Sequence, residues 1–304
     1  MGYWFFEKIA NKTQFYLMTV RRLLNIFAIA ITMLLTAAPA AHAQFNIGDR
    51  FDAAVEFMQQ GIDLIWPGDL RESGFNTKLG IGIGLTPDYI GSDNYRLRVI
   101  PIIDIRYKER WRLNGSLLTY AALKNGPFEA GPLLNLRFGR PESRNRILRG
   151  LREIDTTFEV GAFARYQTKS GLVSIDYRHA TSEDLGGSVR FTAGHGFYKT
   201  GNFVAIAGVR GRWLTRKSTQ RQFGVTAQDA EQSEAGLPVF TASSGFSELS
   251  GNLVGAYRLN ERVRVLSLVS VGRLFGDAKD SPLVSGATGS PTQFIVGFGI
   301  TRQF

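Results

Sequence analysis

The chain has 304 residues, 44% of them hydrophobic, with 36 Lys and Arg against 26 Asp and Glu, a formal net charge of +10, and no cysteine. Without cysteine there is no disulfide framework and no thiolate metal site. Beyond residue 43 no apolar run is long enough for a membrane helix, and the basic residues are dispersed rather than clustered, so neither a helical membrane protein nor a nucleic-acid binder is expected.

The N-terminal stretch "MTVRRLLNIFAIAITMLLTAAPAAHAQ" has Arg21 and Arg22, an apolar run from Leu23 to Leu35, and Ala41-His42-Ala43 as a small-residue cleavage site. This is the three-part layout of a secretory signal, so residues 1–43 are expected to be removed after Ala43. Met18 opens a signal of ordinary length and is the better start; Met1 then adds a misassigned extension. Residues 44–76 follow as a separate segment, expected to be periplasmic or plug-like. In "FDAAVEFMQQGIDLIW" the residues Phe51, Ala54, Val55, Met58, Ile62 and Ile65 fall near one helical face, and Pro67-Gly68 ends the run.

From residue 77 the period changes to two. Leu79, Ile81, Ile83 and Leu85 alternate with Lys78, Gly80, Gly82, Gly84 and Thr86. Leu97, Val99, Pro101, Ile103 and Ile105 then alternate with Arg96, Arg98, Ile100, Ile102, Asp104 and Arg106. A strand face that carries several like charges must meet water or a polar lumen. Further alternating segments are expected at about 110–123, 127–139, 156–167, 171–180, 186–198, 202–214, 246–259, 261–275 and 292–304. Short links ("KNG", "TKSG", "KTGN", "LNER") contrast with long ones at 140–155, 215–245 and 276–291. Strands of ten or more residues, with short turns at one rim and long loops at the other, predict an all-β transmembrane antiparallel up-and-down β-barrel over residues 77–304. Eleven segments conflict with the even strand number of single-chain bacterial barrels. Gly115 and Ser116 inside "RWRLNGSLLTYAAL" allow that segment to split into a pair, which gives about 12 strands, with 10 as the alternative.

The expected localisation is the outer membrane of a Gram-negative bacterium, with outer-membrane lipids as surroundings. The last strand, "QFIVGFGITRQF", ends on Phe304 after apolar residues at alternate positions. It resembles the C-terminal signal by which the barrel-assembly machinery recognises its clients, which makes that machinery an expected partner; Arg302 departs from the pattern.

Catalysis is not expected. His179 and His195 have no metal-spaced partners, a Ser–His pairing of His179 with Ser174 or Ser182 is weakly motivated, and "GIGIGL" leads into a turn rather than the helix a dinucleotide site needs. No catalytic residue, cofactor or metal is therefore assigned. The inward parity instead collects Arg96, Arg98, Arg106, Arg112, Arg137, Arg165, Arg178, Arg190, Arg210 and Arg212, against Asp104, Glu129, Glu159 and Asp176. Arg96, Arg98, Arg106, Arg210 and Arg212 are the candidate lumen-lining basic residues. Such a face either pairs with its acids to fill a closed lumen or favours anions in a narrow pore.

Three stretches carry a family resemblance. The first strand and turn contain Pro87, Tyr89, Gly91 and Ser92 as P-x-Y-x-G-S; the long loop contains Phe223, Gly224 and Val225, then Ser233 to Pro238; "VGRLFGDAKDSPLV" contains Arg273, Leu274, Gly276, Asp277, Ala278, Ser281 and Pro282. In this order they resemble the MltA-interacting protein (MipA/OmpV) family of outer-membrane proteins, over roughly residues 76–304. The resemblance implies an outer-membrane barrel, with a scaffold role toward a lytic murein transglycosylase and a penicillin-binding protein in the cell wall. The alternative function is a narrow anion-favouring pore or a surface receptor or adhesin.

Overall fold

A computed structural model of the chain describes residues 56–58, 61 and 74–304. The signal reading of residues 1–43 and most of the amphipathic face read in 51–66 lie outside the described residues.

The strands are β1 (Phe75–Pro87), β2 (Tyr95–Tyr107), β3 (Trp111–Asn114), β4 (Leu117–Tyr120), β5 (Leu123–Asn125), β6 (Phe128–Arg137), β7 (Thr157–Gln167), β8 (Gly171–Ala180), β9 (Gly187–Lys199), β10 (Phe203–Leu214), β11 (Gly245–Arg258), β12 (Val263–Leu274) and β13 (Thr292–Gln303). Each pairs antiparallel with its neighbour, β13 returns to β1, and β4 pairs with β6, so twelve strands close a barrel and β5 is an extra strand on β6. The segment around Gly115-Ser116 is a split pair. Gly115 takes a φ of +56°, which turns the chain between β3 and β4, and this split supplies the one strand missing from an eleven-segment count.

Alternation sets the facing. Ile81 and Phe298 point outward and are 58% and 59% exposed, whereas Lys78 and Asp104 point inward and are fully buried. Exposed Leu79, Ile83, Leu85, Leu97, Val99, Val173, Ile175, Leu253, Val269, Val296 and Ile300 continue the outer apolar belt, which a water-soluble sheet would have covered. Inward Gly80 and Gly82 face Thr301 and Gly299 across the β1–β13 seam. A Cβ on Gly80 would collide with the Ile300 carbonyl, so close curvature at the seam requires glycine there.

The two prolines in strand interiors, Pro101 and Pro132, sit at breaks in the ladder. The β2–β3 pairing covers only Asp104–Tyr107, and the Ile103 carbonyl accepts a last bond from the Gly115 N–H. Pro101 is two residues farther along the same edge, where no strand of the described residues pairs with β2 and no N–H is needed. Pro132 of β6 likewise falls between Leu133, which pairs with β4, and Ala130, which pairs with β5.

One rim carries the short turns 108–110, 126–127, 168–170, 200–202 and 259–262 together with Phe304; the other carries the long connections. In the outer-membrane plan these are the periplasmic and external rims. Aromatic pairs gather at both. Phe75–Tyr107, Trp111–Tyr120 and Tyr198–Phe203 lie at the periplasmic edge, and Phe246–Phe275 lies at the external edge. The connections 215–245 and 276–291, expected as plain loops, contain short helices: α1 (Arg216–Phe223), α2 (Ala227–Gln232), α3 (Gly276–Asp280) and α4 (Pro282–Ser285). Thr226 and Asp229 form a reciprocal capping box on α2, and Ser281 caps α4 with Pro282 at its first position.

Candidate functional site

The barrel interior is divided by chemistry. Toward the periplasmic rim, Lys78 of β1 donates to Asp104 of β2 at 3.2 Å, and Asn114 of β3 donates to the other oxygen of Asp104 at 2.7 Å. Arg106 Nε stands 3.9 Å from the same carboxylate. One carboxylate thus ties three strands together. Glu129 stands 3.8 Å from Arg165, and Glu159 takes Arg137 at 3.8 Å, Arg190 at 3.7 Å and the Asn135 amide at 2.9 Å.

A further carboxylate in this network does not come from the wall. Glu56, in the helical Glu56–Met58 segment, is buried and pairs with Arg178 of β8, with Arg190 of β9 at 3.4 Å and with Arg210 of β10 at 2.7 Å. Arg178 also holds Asp176 at 2.6 Å. Guanidinium groups do not deprotonate, so three of them converging on one point require an anion there. The Nε atoms of buried Arg165 and of Arg190 find no acceptor among the described residues.

The other side of the interior is apolar. Phe57 and Met58 are buried in one cluster with Ile100 and Ile102 of β2, Ile206 of β10, Val254 of β11, Leu266 and Leu268 of β12 and Ile295 of β13. The Phe57 ring fits against the backbone of Gly194 and Gly208, where a Cβ on Gly208 would meet the ring at 2.5 Å.

Above this, the external loops form a core of their own. Tyr89, Ile147, Leu148, Leu151, Leu214, Phe223, Val225, Leu274, Leu283 and Val284 pack together from four separate connections. Most of the motif residues meet here. The Tyr89 hydroxyl donates to the Leu283 carbonyl at 2.9 Å, and Ser281 Oγ donates to the Phe223 carbonyl at 2.6 Å. Gln293 donates to the Ser92 carbonyl at 3.0 Å, and Asp277 accepts from the Ser243 N–H at 2.6 Å. Gly91 and Gly276 take φ of +99° and +51°; Gly224 ends α1, and Pro87 ends β1. Arg273 stands apart, on the outward parity at the external end of β12. Burial holds the Tyr89 phenol above its ordinary range. Asp229, which accepts from Thr226 and from Arg152, has its carboxyl held below the usual aspartate range, because those bonds outweigh the opposing effect of burial.

Of the lumen-lining candidates, Arg98, Arg210 and Arg212 are buried inside. Arg98 donates to the Asp88 carbonyl at 3.0 Å, Arg212 to Gln222 of α1 at 2.9 Å, and Arg106 approaches Asp104. Arg96 is half-buried at the external end of β2, bonded to Asp88 and to the Arg144 carbonyl, so it joins the loop cap rather than the lumen network. His179 faces outward against Tyr177, while Ser174 faces inward and Ser182 bonds Thr157, so neither Ser–His pair is assembled. At the chain end, the Phe304 N–H closes the seam on the Thr77 carbonyl at 2.9 Å, and the Arg302 guanidinium lies 5.3 Å from the Phe304 ring centroid. That stacking gives the departing Arg302 a place at the interface. Glu56 was not singled out by sequence reasoning; its partners are 122, 134 and 154 residues away, and no local signal marks it.

The family model of the MltA-interacting protein MipA matches residues 79–304, and the chain belongs to this family. It is an outer-membrane barrel protein of a Gram-negative bacterium. No curated protein matches its sequence. Similar solved structures include the NanC porin, 10% identical with a TM-score of 0.38, over 76% of this chain and 100% of that one. They include an outer-membrane channel from Pseudomonas putida F1, 9% identical with a TM-score of 0.38, over 79% and 99%. The KdgM porin, in complex with disordered oligogalacturonate, is 12% identical with a TM-score of 0.36, over 75% and 99%.

Proposed function

We propose that this member of the MltA-interacting protein MipA family works as a scaffold for murein-remodelling enzymes, using a barrel that is filled rather than open. The observation that carries this reading is the interior itself. Buried charge pairs span the wall from Lys78–Asp104 to Arg178–Glu56, and the Phe57–Met58 cluster occupies the remaining side. A lumen filled in this way passes little, which leaves the two rims as working surfaces. The short periplasmic turns around Lys124–Asn125, Thr168–Ser170, Thr200–Asn202 and Asn260–Arg262 face the compartment of the cell wall. The family name supplies the partner class, a lytic murein transglycosylase; a penicillin-binding protein is a second candidate. In this reading residues 1–43 are the export signal, 44–76 a periplasmic or plug-like lead-in that runs into β1, and Phe304 the mark read by the assembly machinery.

The immobilised, folded protein should retain a murein transglycosylase of that class, and substitutions in the periplasmic turns should reduce retention. Planar bilayers containing it should show little steady conductance. Large stable channels, with no retention of any murein enzyme, would overturn the scaffold and favour the anion-selective pore, whose supporting observation is the arginine-rich side of the lumen.

A further inference from the structure

We infer that the barrel holds an internal binding site for an amphiphilic monoanion, a single anionic head on a hydrocarbon chain, and that Glu56, Phe57 and Met58 occupy it as a built-in surrogate. The head position is defined by Arg178, Arg190 and Arg210, which come from adjacent strands and converge on the Glu56 carboxylate. The tail position is defined by the next two residues. Phe57 and Met58 are 1% and 4% exposed against Ile100, Ile102, Ile206, Val254 and Leu268. The wall leaves room for them: a Cβ on Gly208 would collide with the Phe57 ring, and Gly194 lies beside the same ring.

Neither half is usual for a barrel lumen alone. A water-filled pore has a polar interior, and an apolar wall inside it would stay wet at a cost. A neutral lipid would bring no anion in place of the Glu56 carboxylate, leaving Asp176 on Arg178 and Glu159 on Arg190 to offset the buried positive charge. Only a ligand with both parts satisfies both sides together. A hydrophilic acid leaves the apolar wall uncovered, and a fatty alcohol does not replace the carboxylate that Glu56 supplies to the three arginines. The unfilled Nε donors of Arg165 and Arg190 add capacity for acceptor oxygens beyond those Glu56 supplies. Glu56 belongs to none of the twelve wall strands, so a competing anion can displace it without opening the barrel.

The probes are laurate, 1-dodecanol with a similar chain and no charge, and acetate with the head and no chain. Full-length mature protein is folded in a nonionic detergent, and folding is checked by heat-modifiable mobility. In the triple variant Glu56→Ala, Phe57→Ala, Met58→Ala the surrogate is gone. If it fills the site more than nine-tenths of the time, laurate should bind the triple variant about tenfold or more tightly than the native chain. Dodecanol and acetate should each bind the triple variant at least about tenfold more weakly than laurate, the loss of one charge-assisted contact set or of the buried chain. Adding Arg190→Met should remove the gain. Equal laurate affinity in native and triple variants, or equal affinity for dodecanol and laurate, would overturn the proposal.

A second measurement does not depend on the triple variant folding. The chain has no cysteine, so Met58→Cys supplies a single thiol. Its maleimide labelling should accelerate several-fold with added laurate and not with dodecanol, since a displaced segment is exposed in proportion to site occupancy. Labelling unchanged across a laurate titration would equally overturn the proposal.

Discussion

Asp104→Asn tests how the inward charges hold the barrel. Asp104 and Lys78 are both fully buried, with Nζ and Oδ2 3.2 Å apart. At an effective dielectric of about 20, two unit charges at that spacing attract by about 5 kcal/mol before desolvation is counted. The amide is nearly isosteric and keeps an oxygen for the Asn114 side chain, which donates to Asp104 at 2.7 Å. What the substitution removes is charge: Lys78 loses its carboxylate, and so does Arg106 at 3.9 Å. Removing one partner of a buried pair costs about 3–5 kcal/mol, because the other charge stays in place. The double variant Lys78→Met, Asp104→Asn should recover most of that loss, since replacing both charges of a buried pair is close to neutral. Both values come from urea titrations of the barrel folded into phosphatidylcholine vesicles, followed by intrinsic tryptophan fluorescence, with Trp111 and Trp213 in the wall strands. A loss below about 1 kcal/mol for Asp104→Asn, within the range of exposed pairs, would refute the reasoning. So would a double variant as unstable as the single one.

Further expectations address the other layers. Ile81 lies midway along β1 and faces lipid, so Ile81→Arg should cost about 2–4 kcal/mol in the same titration, and Ile81→Leu almost nothing. Gly91 combines a φ of +99° with a position where a Cβ would strike Val284, so Gly91→Ala should loosen the external loop core and speed protease cleavage within 215–244 several-fold while barrel mobility on gels is unchanged. The Asp229 carboxyl is held below its ordinary range, so it stabilises the loop above the unfolded value, near pH 4, and that contribution is lost as pH falls through the lower folded value; Asp229→Asn should remove this acid-dependent step in loop proteolysis. Deleting Phe304 removes the last seam bond to Thr77 and the apolar end of the closing strand, and should lower the yield of folded barrel in outer-membrane fractions relative to Gln303→Asn.

The wall was legible because every wall residue sees one of two solvents. Ile81 faces lipid and Lys78 faces the interior, and the two-residue period carries that contrast directly into the sequence. The β3–β4 hairpin was harder to read. Its strands are four residues each, and only Gly115-Ser116 marks the turn inside a run that reads as one strand. The loop helices left signals that could have been used: a Thr226–Asp229 capping box and the Ser281-Pro282 start. Convergence of the three motif stretches, with the 138–156 connection, into one external core could not be read, since each motif is local and their packing is not. Tyr89 and Leu283 meet across 194 positions. The same limit hid Glu56, whose neighbours in sequence say nothing of arginines on β8, β9 and β10.

The dispersed positive charge takes on meaning only in the paired strands. On the separate strands, Arg178, Arg190 and Arg210 are single inward residues with no motif around them. Pairing of β8, β9 and β10 places them side by side, and the wall supplies too few nearby carboxylates: Asp176 serves Arg178, and Glu159 is shared by Arg137 and Arg190. The Glu56 carboxylate from outside the wall completes the set, and the next two residues carry apolar side chains onto the apolar part of the wall. Filling the lumen therefore depends on one short segment that meets both chemistries at once. A barrel built only to be solid could have used wall acids and bulky inward residues instead, as the Lys78–Asp104–Asn114 cluster does elsewhere in the same interior. The division of labour within one lumen, permanent pairs near the periplasmic rim and a removable carboxylate at the arginine triad, is what separates a structural plug from an occupied site.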